Sequence, residues 1–393
     1  MRVTQTMISQ NSLRSINQSY SQLSRLFEQM STQKKITRAS QDPVVAMKGM
    51  LYRTQVHEVE QFKRNLSEVY NWMDSTDSAL DEATEALKRI REIATQAAND
   101  SYDASERANI AKEVKQLREH LESIANTQVG NKYIFNGTNT TAPPLIDSSS
   151  INRPISELIS GEVEASNVQI VHGGRVFELV SEDAATGDLI FQDVRQIGNP
   201  SVDDEDDFAE RAITLTLSSD GENITYSGFE EDGSRRTIDV RENDIVIADK
   251  NAISANSQPI EIELLNGVKI QVNLDPQDIF NNALFGDIIR LEQALEDGAV
   301  TGEELKKYID EIYNHIDHFV TQRAEIGART NRVEMMENRI MQQEVTAKKI
   351  MSDNEDVDME KVIIDLVTQE SIHTAALAAG ARIMQPSLLD FLR

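Results

Sequence analysis

Glu311, His315 and His318 are the residues of this 393-residue chain whose types and spacing come nearest to a metal site. Steps of four and three place all three on one helix face, within reach of a single ion. A solvated polar face on an acidic helix accounts for the same set, so no metal is assigned to it. His57-Glu58-Val59-Glu60-Gln61 opens like a zinc-protease motif, but Gln61 stands where the second histidine is required. Asp203-Asp204-Glu205-Asp206-Asp207 has Phe208 where a calcium loop needs glycine, and reads as an acidic loop. The sequence holds no phosphate-cradling glycine loop, serine elbow or dinucleotide fingerprint. It has no cysteine, which removes disulfides, thiolate metal sites and cysteine nucleophiles. No catalytic residue, cofactor or enzymatic activity is therefore expected.

Composition narrows the partners. With 66 acidic and 39 basic residues the formal charge is -27, which disfavours nucleic acid or an anionic membrane. Hydrophobic residues make up 39% of the chain, enough for a packed core. No run approaches the roughly 18 apolar residues of a membrane span, and Met1 to Tyr20 lack the apolar core of a signal peptide. The charge is uneven: residues 1–53 hold eight basic and two acidic side chains, 142–282 nine and twenty-eight, and 353–393 three and eight. The opposite signs at the two ends suit elements that lie side by side.

Hydrophobic period then supplies the elements. Val59, Phe62, Leu66, Val69, Met73, Thr76, Leu80, Ala83, Leu87, Ile90, Ala94 and Ala97 keep a 3-4-3-4 spacing, the seam of a coiled coil. At ~1.5 Å per residue it makes a rod of roughly 58 Å. After a break at Asn99-Asp100, Ile110, Val114, Leu117, Leu121 and Ile124 predict a second helix folded back on the first. Gly302 to Ile350 predicts one long helix with an interruption near Gly327. Its seam is Ile326, Val333, Met336, Ile340, Ala347 and Ile350, with Arg329 and Gln343 as polar members.

Between these helices, Pro143-Pro144, Gly173-Gly174, Asp220-Gly221 and Asn266-Gly267 punctuate runs of Val, Ile and Thr, which predicts β-structure. Ile260 to Leu274 reads as a hairpin with a three-residue loop, pairing Ile260 with Val272, Ile262 with Ile270 and Leu264 with Val268, and with Gly267 left-handed. Arg211 to Phe229 reads as another hairpin. The expected fold is thus α+β and multidomain: a long antiparallel coiled-coil or helical bundle built from both chain ends, with a β-rich domain inserted in the middle. The expected divisions are terminal assembly helices at 1–53 and 353–393, a helical rod at 54–141 and 283–352, and a β-rich outer domain at 142–282.

The ends carry the functional signal. Leu13, Ile16, Tyr20, Leu23, Phe27 and Met30 form an apolar stripe at heptad spacing. Met359 to Met384 combines Val362, Ile363, Leu366, Val367, Leu377 and Ile383 with Ala375, Ala376, Ala378, Ala379, Gly380 and Ala381, small residues that allow close helix approach. These stripes, continued by Leu388, Leu389 and Phe391, are the expected assembly interface. They are expected to stay poorly ordered in a monomer and to bury their apolar faces when neighbours arrive.

Three motifs carry a family resemblance. Met1-Arg2-Val3, Gln29-Met30-Ser31-Thr32-Gln33-Lys34-Lys35-Ile36 and Arg38-Ala39-Ser40-Gln41-Asp42-Pro43 together resemble the N-terminal stretch of the flagellin superfamily, where a Leu-Ser-Ser-Gly turn precedes a basic-Ile pair and a Ser-Asp-Asp-Pro motif. Here Thr32-Gln33 replaces Ser-Gly and Gln41 replaces the first Asp. Asn131-Lys132-Tyr133-Ile134-Phe135-Asn136-Gly137-Thr138 is similar to the Tyr-x-Phe-x-Gly segment of that superfamily. Gln385-Pro386-Ser387-Leu388-Leu389-Asp390-Phe391-Leu392 resembles the C-terminus of its hook-filament junction branch. The likeness spans residues 1–141 and 283–393. It implies a structural subunit of the bacterial flagellum at the junction of hook and filament, with flagellin, the filament subunit, as the alternative. It further implies secretion through the flagellar type III apparatus without a cleaved signal peptide. The implied partners are copies of the same chain, a FlgK-type junction protein, flagellin, and a FlgN-type export chaperone at the C-terminal region.

Overall fold

Sustained heptad spacing becomes very long helices. The computed structural model describes residues 5–99, 102–145, 148–183, 186–197, 212–219, 221, 223–229, 234–297 and 300–383. Its helices are α1 (Gln5–Thr32), α2 (Pro43–Ala97), α3 (Ala104–Ala125), α4 (Ile155–Ile159), α5 (Pro276–Ile279), α6 (Asn282–Glu296), α7 (Gly302–Glu355) and α8 (Met359–Ile383). Its strands are β1 (Gln128–Val129), β2 (Lys132–Tyr133), β3 (Val168–His172), β4 (Arg175–Glu182), β5 (Leu189–Asp193), β6 (Thr214–Leu217), β7 (Ile224–Phe229), β8 (Arg235–Val240), β9 (Val246–Asp249), β10 (Glu261–Leu265) and β11 (Val268–Gln271). Two compact units result: the described residues up to 64 with those from 336 onward, and residues 65–335.

In the unit 65–335 the seam of α2 is buried from Leu66 to Ala97 as the spacing predicts. Its one polar member, Thr76, returns its hydroxyl to the Trp72 carbonyl at 2.8 Å, so that donor is satisfied within the helix. A capping box between Asp103 and Glu106 starts α3. The pairs Arg89–Glu113 at 2.9 Å and His120–Glu82 at 3.1 Å set α3 antiparallel beside α2. On α7, Arg323 meets Asp77 at 2.7 Å and Tyr313 receives Arg91 5.5 Å from its ring centre, again an antiparallel pairing with α2. The interruption expected near Gly327 does not occur. A Cβ there would meet open space, and the backbone runs as helix from Gly302 to Glu355.

The β-rich middle is a seven-stranded antiparallel sheet in the order β8-β7-β6-β5-β4-β3-β9. Ile170, Phe177, Phe191, Leu215, Leu217 and Ile224 from alternating positions build its core. The turn between β3 and β4 is Gly173-Gly174, both with positive φ (61° and 70°), the two-residue geometry that suits the twist of paired strands. The second expected hairpin is present as β6 paired with β7; Arg211 and Asp220 lie outside the described residues. So does the acidic run Asp203 to Asp207.

The β10–β11 hairpin differs from expectation in one detail. Ile262 faces Ile270, and Val272 N–H donates to the Ile260 carbonyl at 3.0 Å, as expected, but Val268 pairs with Leu265 and not with Leu264. A bulge at Leu264 absorbs the extra residue, so the loop shortens to Asn266-Gly267 with Gly267 left-handed at φ 75°. The physical gain is that Leu264 and Leu265 are both buried, which strict alternation forbids. The Tyr133 to Gly137 segment also finds its reason: Phe135 is buried edge-on to Phe280 at 5.1 Å, and a Cβ on Gly137 would lie 2.7 Å from the Asn256 carbonyl.

Helix α6 docks on the sheet through β3 and β9. The approach depends on Gly286, where an added Cβ would sit 2.8 Å from Val171 Cβ and Cγ1, atoms anchored in a strand. Gly286→Ala should therefore destabilise this unit by about 1–3 kcal/mol, and Val171→Ala in the same chain should recover part of the loss. Urea unfolding followed by Trp72 fluorescence measures both, since the chain has a single tryptophan, buried in this unit.

Candidate assembly interface

The apolar stripe of α1 carries two heptad series, and the structure separates them. Ile16, Leu23 and Met30 are partly covered, while Leu13, Tyr20 and Phe27 are 46%, 62% and 49% exposed. The covered face of α1 is completed by Ser12, Ser19 and Leu26. It packs against α8, whose covered positions are Val362, Leu366, Gln369, His373, Ala376 and Gly380, again in steps of three and four. The helices run antiparallel: Gln369 Nε2 donates to Ser19 Oγ at 3.0 Å, Tyr20 and His373 rings lie 6.1 Å apart, and a Cβ on Gly380 would come 3.0 Å from Ile16 Cδ1.

The basic and acidic chain ends thus lie side by side, as their charges suggested. The expectation that the stripes stay poorly ordered in a monomer is corrected for the covered faces: α1 and α8 are helices paired with each other within the chain. Their contact mixes the apolar Ile16, Leu23, Leu26, Val362 and Leu366 with the small and polar Ser12, Ser19, Gln369, Ala376 and Gly380, which let the backbones approach. A second set of large side chains is left outside. On α8, Ile363, Ile364, Val367, Ile372 and Leu377 are all exposed by about half or more.

Of the residues expected at the interface, Leu13, Tyr20, Phe27 and Leu377 face outward, and Ile16, Leu23, Met30, Val362 and Leu366 face the companion helix. Met384, Leu388, Leu389 and Phe391 lie outside the described residues, as do Met1-Arg2-Val3 and Gln385 to Leu392. Sequence reasoning missed a second outward patch, Val44, Met47, Met50 and Leu51 on the first turns of α2. The signal was the 44-47-51 spacing. On α7, Gln343 and Ile350 are exposed and so are not seam members; Glu344 takes the covered place and pairs with Lys63 at 2.8 Å. Arg329 is half-buried and donates to the Asn273 carbonyl at 3.1 Å.

A knot of charge closes this unit. The α1–α2 connection turns at Gln33, whose φ is 57°, and ends at Asp42, whose Oδ1 caps α2 by accepting from Val44 N and Val45 N at 3.0 and 3.1 Å. Pro43 then occupies the first helical position, where no N–H is needed. Glu355, the last residue of α7, accepts both Arg53 Nε and Nη2 at 2.7 and 2.8 Å. Lys34 reaches Asp356 at 2.6 Å and Glu355 at 3.4 Å. Main-chain bonds from Lys35 N to Glu355 O (2.7 Å) and from Val357 N to Gln33 O (3.0 Å) tie the two connections together. Gly49 makes room: a Cβ there would lie 2.8 Å from Glu355 Oε1.

The metal-like trio is not brought together. Glu311 pairs with Arg290 at 3.1 Å, His315 Nε2 lies 2.8 Å from Asp287, and His318 meets the Asp278 carbonyl. Among the described residues no helix is long and apolar enough to cross a membrane.

Comparison with known proteins bears on both the paired termini and the inserted sheet. The family described as bacterial flagellin N-terminal helical region matches residues 3–140, and bacterial flagellin C-terminal helical region matches residues 307–392. The chain belongs to the flagellin superfamily. Flagellar hook-associated protein 3 of Escherichia coli (strain K12) is 27% identical over 187 residues, 47% of this chain and 59% of that protein. This chain therefore spans about three fifths of the length of that relative. A flagellin of Clostridium tyrobutyricum is 22% identical over 375 residues, 91% of this chain and 92% of that one. In structure, a protein described as flagellar hook-associated, from Vibrio parahaemolyticus, superposes with a TM-score of 0.50 at 16% identity, covering 80% of this chain and all of that one, which supports the fold.

The knot should respond to acid. Hydrogen bonding and charge from Arg53, then Lys34, hold the Glu355 carboxyl below its ordinary value, and Lys34 does the same for Asp356. A depressed carboxyl contributes stability that is full above its unfolded value and lost as pH falls through the folded one. Glu355→Gln should loosen α1 and α8 at neutral pH by about 1–3 kcal/mol and reduce the acid sensitivity below about pH 4.5. Hydrogen exchange of the α8 amides, compared with the wild type across that range, checks both.

Proposed function

We propose that this chain is a structural subunit of the bacterial flagellum at the junction between hook and filament, assembling through its terminal helices and catalysing no reaction. The observation that carries the reading is the terminal pair, two helices that cover one stripe of each other and leave a second apolar set, Leu13, Tyr20, Phe27, Ile364 and Val367, exposed for outside contacts. The likeness to hook-associated protein 3 supplies the place in the flagellum.

In this reading residues 1–53 and 353–393 form the assembly element, 54–141 and 283–352 a rod, and 142–282 the outer domain. Copies of the chain cover each other's outward stripes. A FlgK-type junction protein and flagellin cap the two ends of the ring, a FlgN-type chaperone shields the C-terminal region before export, and the chain leaves the cell by the flagellar type III route without a cleaved signal peptide. Burial is the driving term: at about 25 cal/mol per Å², covering several half-exposed Ile, Leu and Phe side chains offsets the cost of association. A filament subunit is the second reading, favoured by the alignment with a flagellin along 91% of the chain.

Gene deletion separates the readings. Loss of a junction subunit leaves hooks in place and flagellin released into the medium; loss of a filament subunit leaves no flagellin to release. Within the chain, Phe27→Asp should abolish incorporation while leaving the helicity of the monomer unchanged, because Phe27 is outside the α1–α8 contact. Leu23→Asp should abolish incorporation and also disrupt that contact. Normal assembly of both variants would remove the interface proposal.

A further inference from the structure

The turn between β3 and β4 rests on a buried cluster of charge. Asp287, on α6, has no exposed surface; its Oδ1 accepts from Arg290 Nη1 at 3.0 Å and from the Gly174 N–H at 3.3 Å, and its Oδ2 lies 2.8 Å from His315 Nε2. The same Arg290 Nη1 lies 3.1 Å from Glu311 Oε2, and the guanidinium sits 5.1 Å from the centre of the Tyr308 ring. Tyr308 donates to Asp244 Oδ1 at 2.7 Å, Arg241 pairs with Asp244 at 3.2 Å, and His172 Nδ1 is 2.8 Å from the Asp244 carbonyl. The charged and titratable groups around Glu311 are therefore Asp287 and Arg290 from α6, His172 from β3, Arg241 and Asp244 from the segment before β9, and Tyr308 and His315 on α7 itself.

Two carboxylates share one buried guanidinium. With Asp287 and Glu311 both ionised against the single Arg290 charge, that trio carries a net negative charge where water scarcely reaches, which is costly. Asp287 has the stronger claim on Arg290, since it is fully buried and also accepts from Gly174. The proton that restores neutrality then belongs on Glu311. Burial is the main cause that pushes this carboxyl up to about 7, the Arg290 charge opposing it and Asp287 adding to it. His172 is pushed the other way by its burial and by Arg290, and stays neutral.

We propose that this cluster is a one-proton latch: with Glu311 protonated it is neutral and holds the Gly173-Gly174 turn against α6 and α7, and with Glu311 ionised the hold weakens. A carboxyl raised in the folded state keeps its proton between its unfolded value and about 7, so its contribution falls as pH rises through that window. His172 acts oppositely below about pH 6.5, being neutral when folded and protonated when unfolded. The effect of Glu311 is therefore read as a difference between two proteins.

Urea unfolding of the full chain, followed by Trp72 fluorescence, is to be compared for wild type and Glu311→Gln from pH 5 to pH 8. The wild type should lose stability relative to the variant as pH rises, with a limiting slope of about tenfold in the unfolding constant per pH unit, the signature of one proton. Parallel pH dependences in the two proteins would overturn the latch. Should the variant not fold, the carboxyl-carbon NMR titration of Glu311 in the wild type decides: a midpoint near neutrality supports the proposal, and a midpoint in the ordinary carboxylate range overturns it. Protection of the Gly174 amide, corrected for intrinsic exchange, should fall over the same range in the wild type, and constant protection would equally count against it.

Discussion

Two helices packed side by side can cover one stripe each, and α1 and α8 each carry more apolar side chains than one stripe holds. The rest of this unit follows from that excess. The covered stripe is assigned to Ser12, Ile16, Ser19, Leu23, Leu26 and Met30 on α1, and to Val362, Leu366, Gln369, His373, Ala376 and Gly380 on α8, a set whose small members permit close approach. The bulky residues Leu13, Tyr20, Phe27, Ile364 and Val367 remain in water.

A weak helix pair needs a stronger fixed point, and Glu355 supplies one. It is buried, bidentate to Arg53, within reach of Lys34, and pressed against Gly49. An unpaired carboxylate in that place would be destabilising, so the cations and the glycine are required together. The main-chain bonds around Gln33 and Val357 add register to charge. The two connections are thereby held at one point, and the helices they lead into extend from it.

Much of this was legible in the sequence because heptad spacing is a strong signal when held over many turns. The seam of α2, the fold-back of α3 and the β-rich middle all come from period and punctuation. The stripe on α1 was legible as apolar but not as two faces. Residues 13, 20 and 27 and residues 16, 23 and 30 have the same spacing, and only the small residues on α8 decide which series is covered. The bulge at Leu264 was missed for a similar reason: alternation counts residues, and a bulge adds one. Gln33 is the reverse case. The family pattern has glycine there, and the left-handed turn persists without it, at a cost of about 1–2 kcal/mol in backbone conformation that the surrounding bonds offset. The missed trio of Asp287, Arg290 and Glu311 left no sequence trace, because its members come from two helices whose facing is set by Gly286 and the sheet.

The two units also differ in what makes them stable. Residues 65–335 contain a sheet core with Phe177, Phe191 and Leu215 fully covered and a helical seam closed from Leu66 to Ala97, so their stability is supplied from within. The terminal unit buries Val56, Val59, Ile340 and Val362 but leaves many of its large side chains exposed, and its connections are fixed by ionic contacts. Charge contacts act at a distance and can set geometry before burial begins, whereas apolar contacts stabilise only on close approach. The division of labour is then physical: the Glu355 knot fixes the two connections, and the terminal helices leave their outward stripes exposed. A subunit built this way keeps its shape without being stable at its ends.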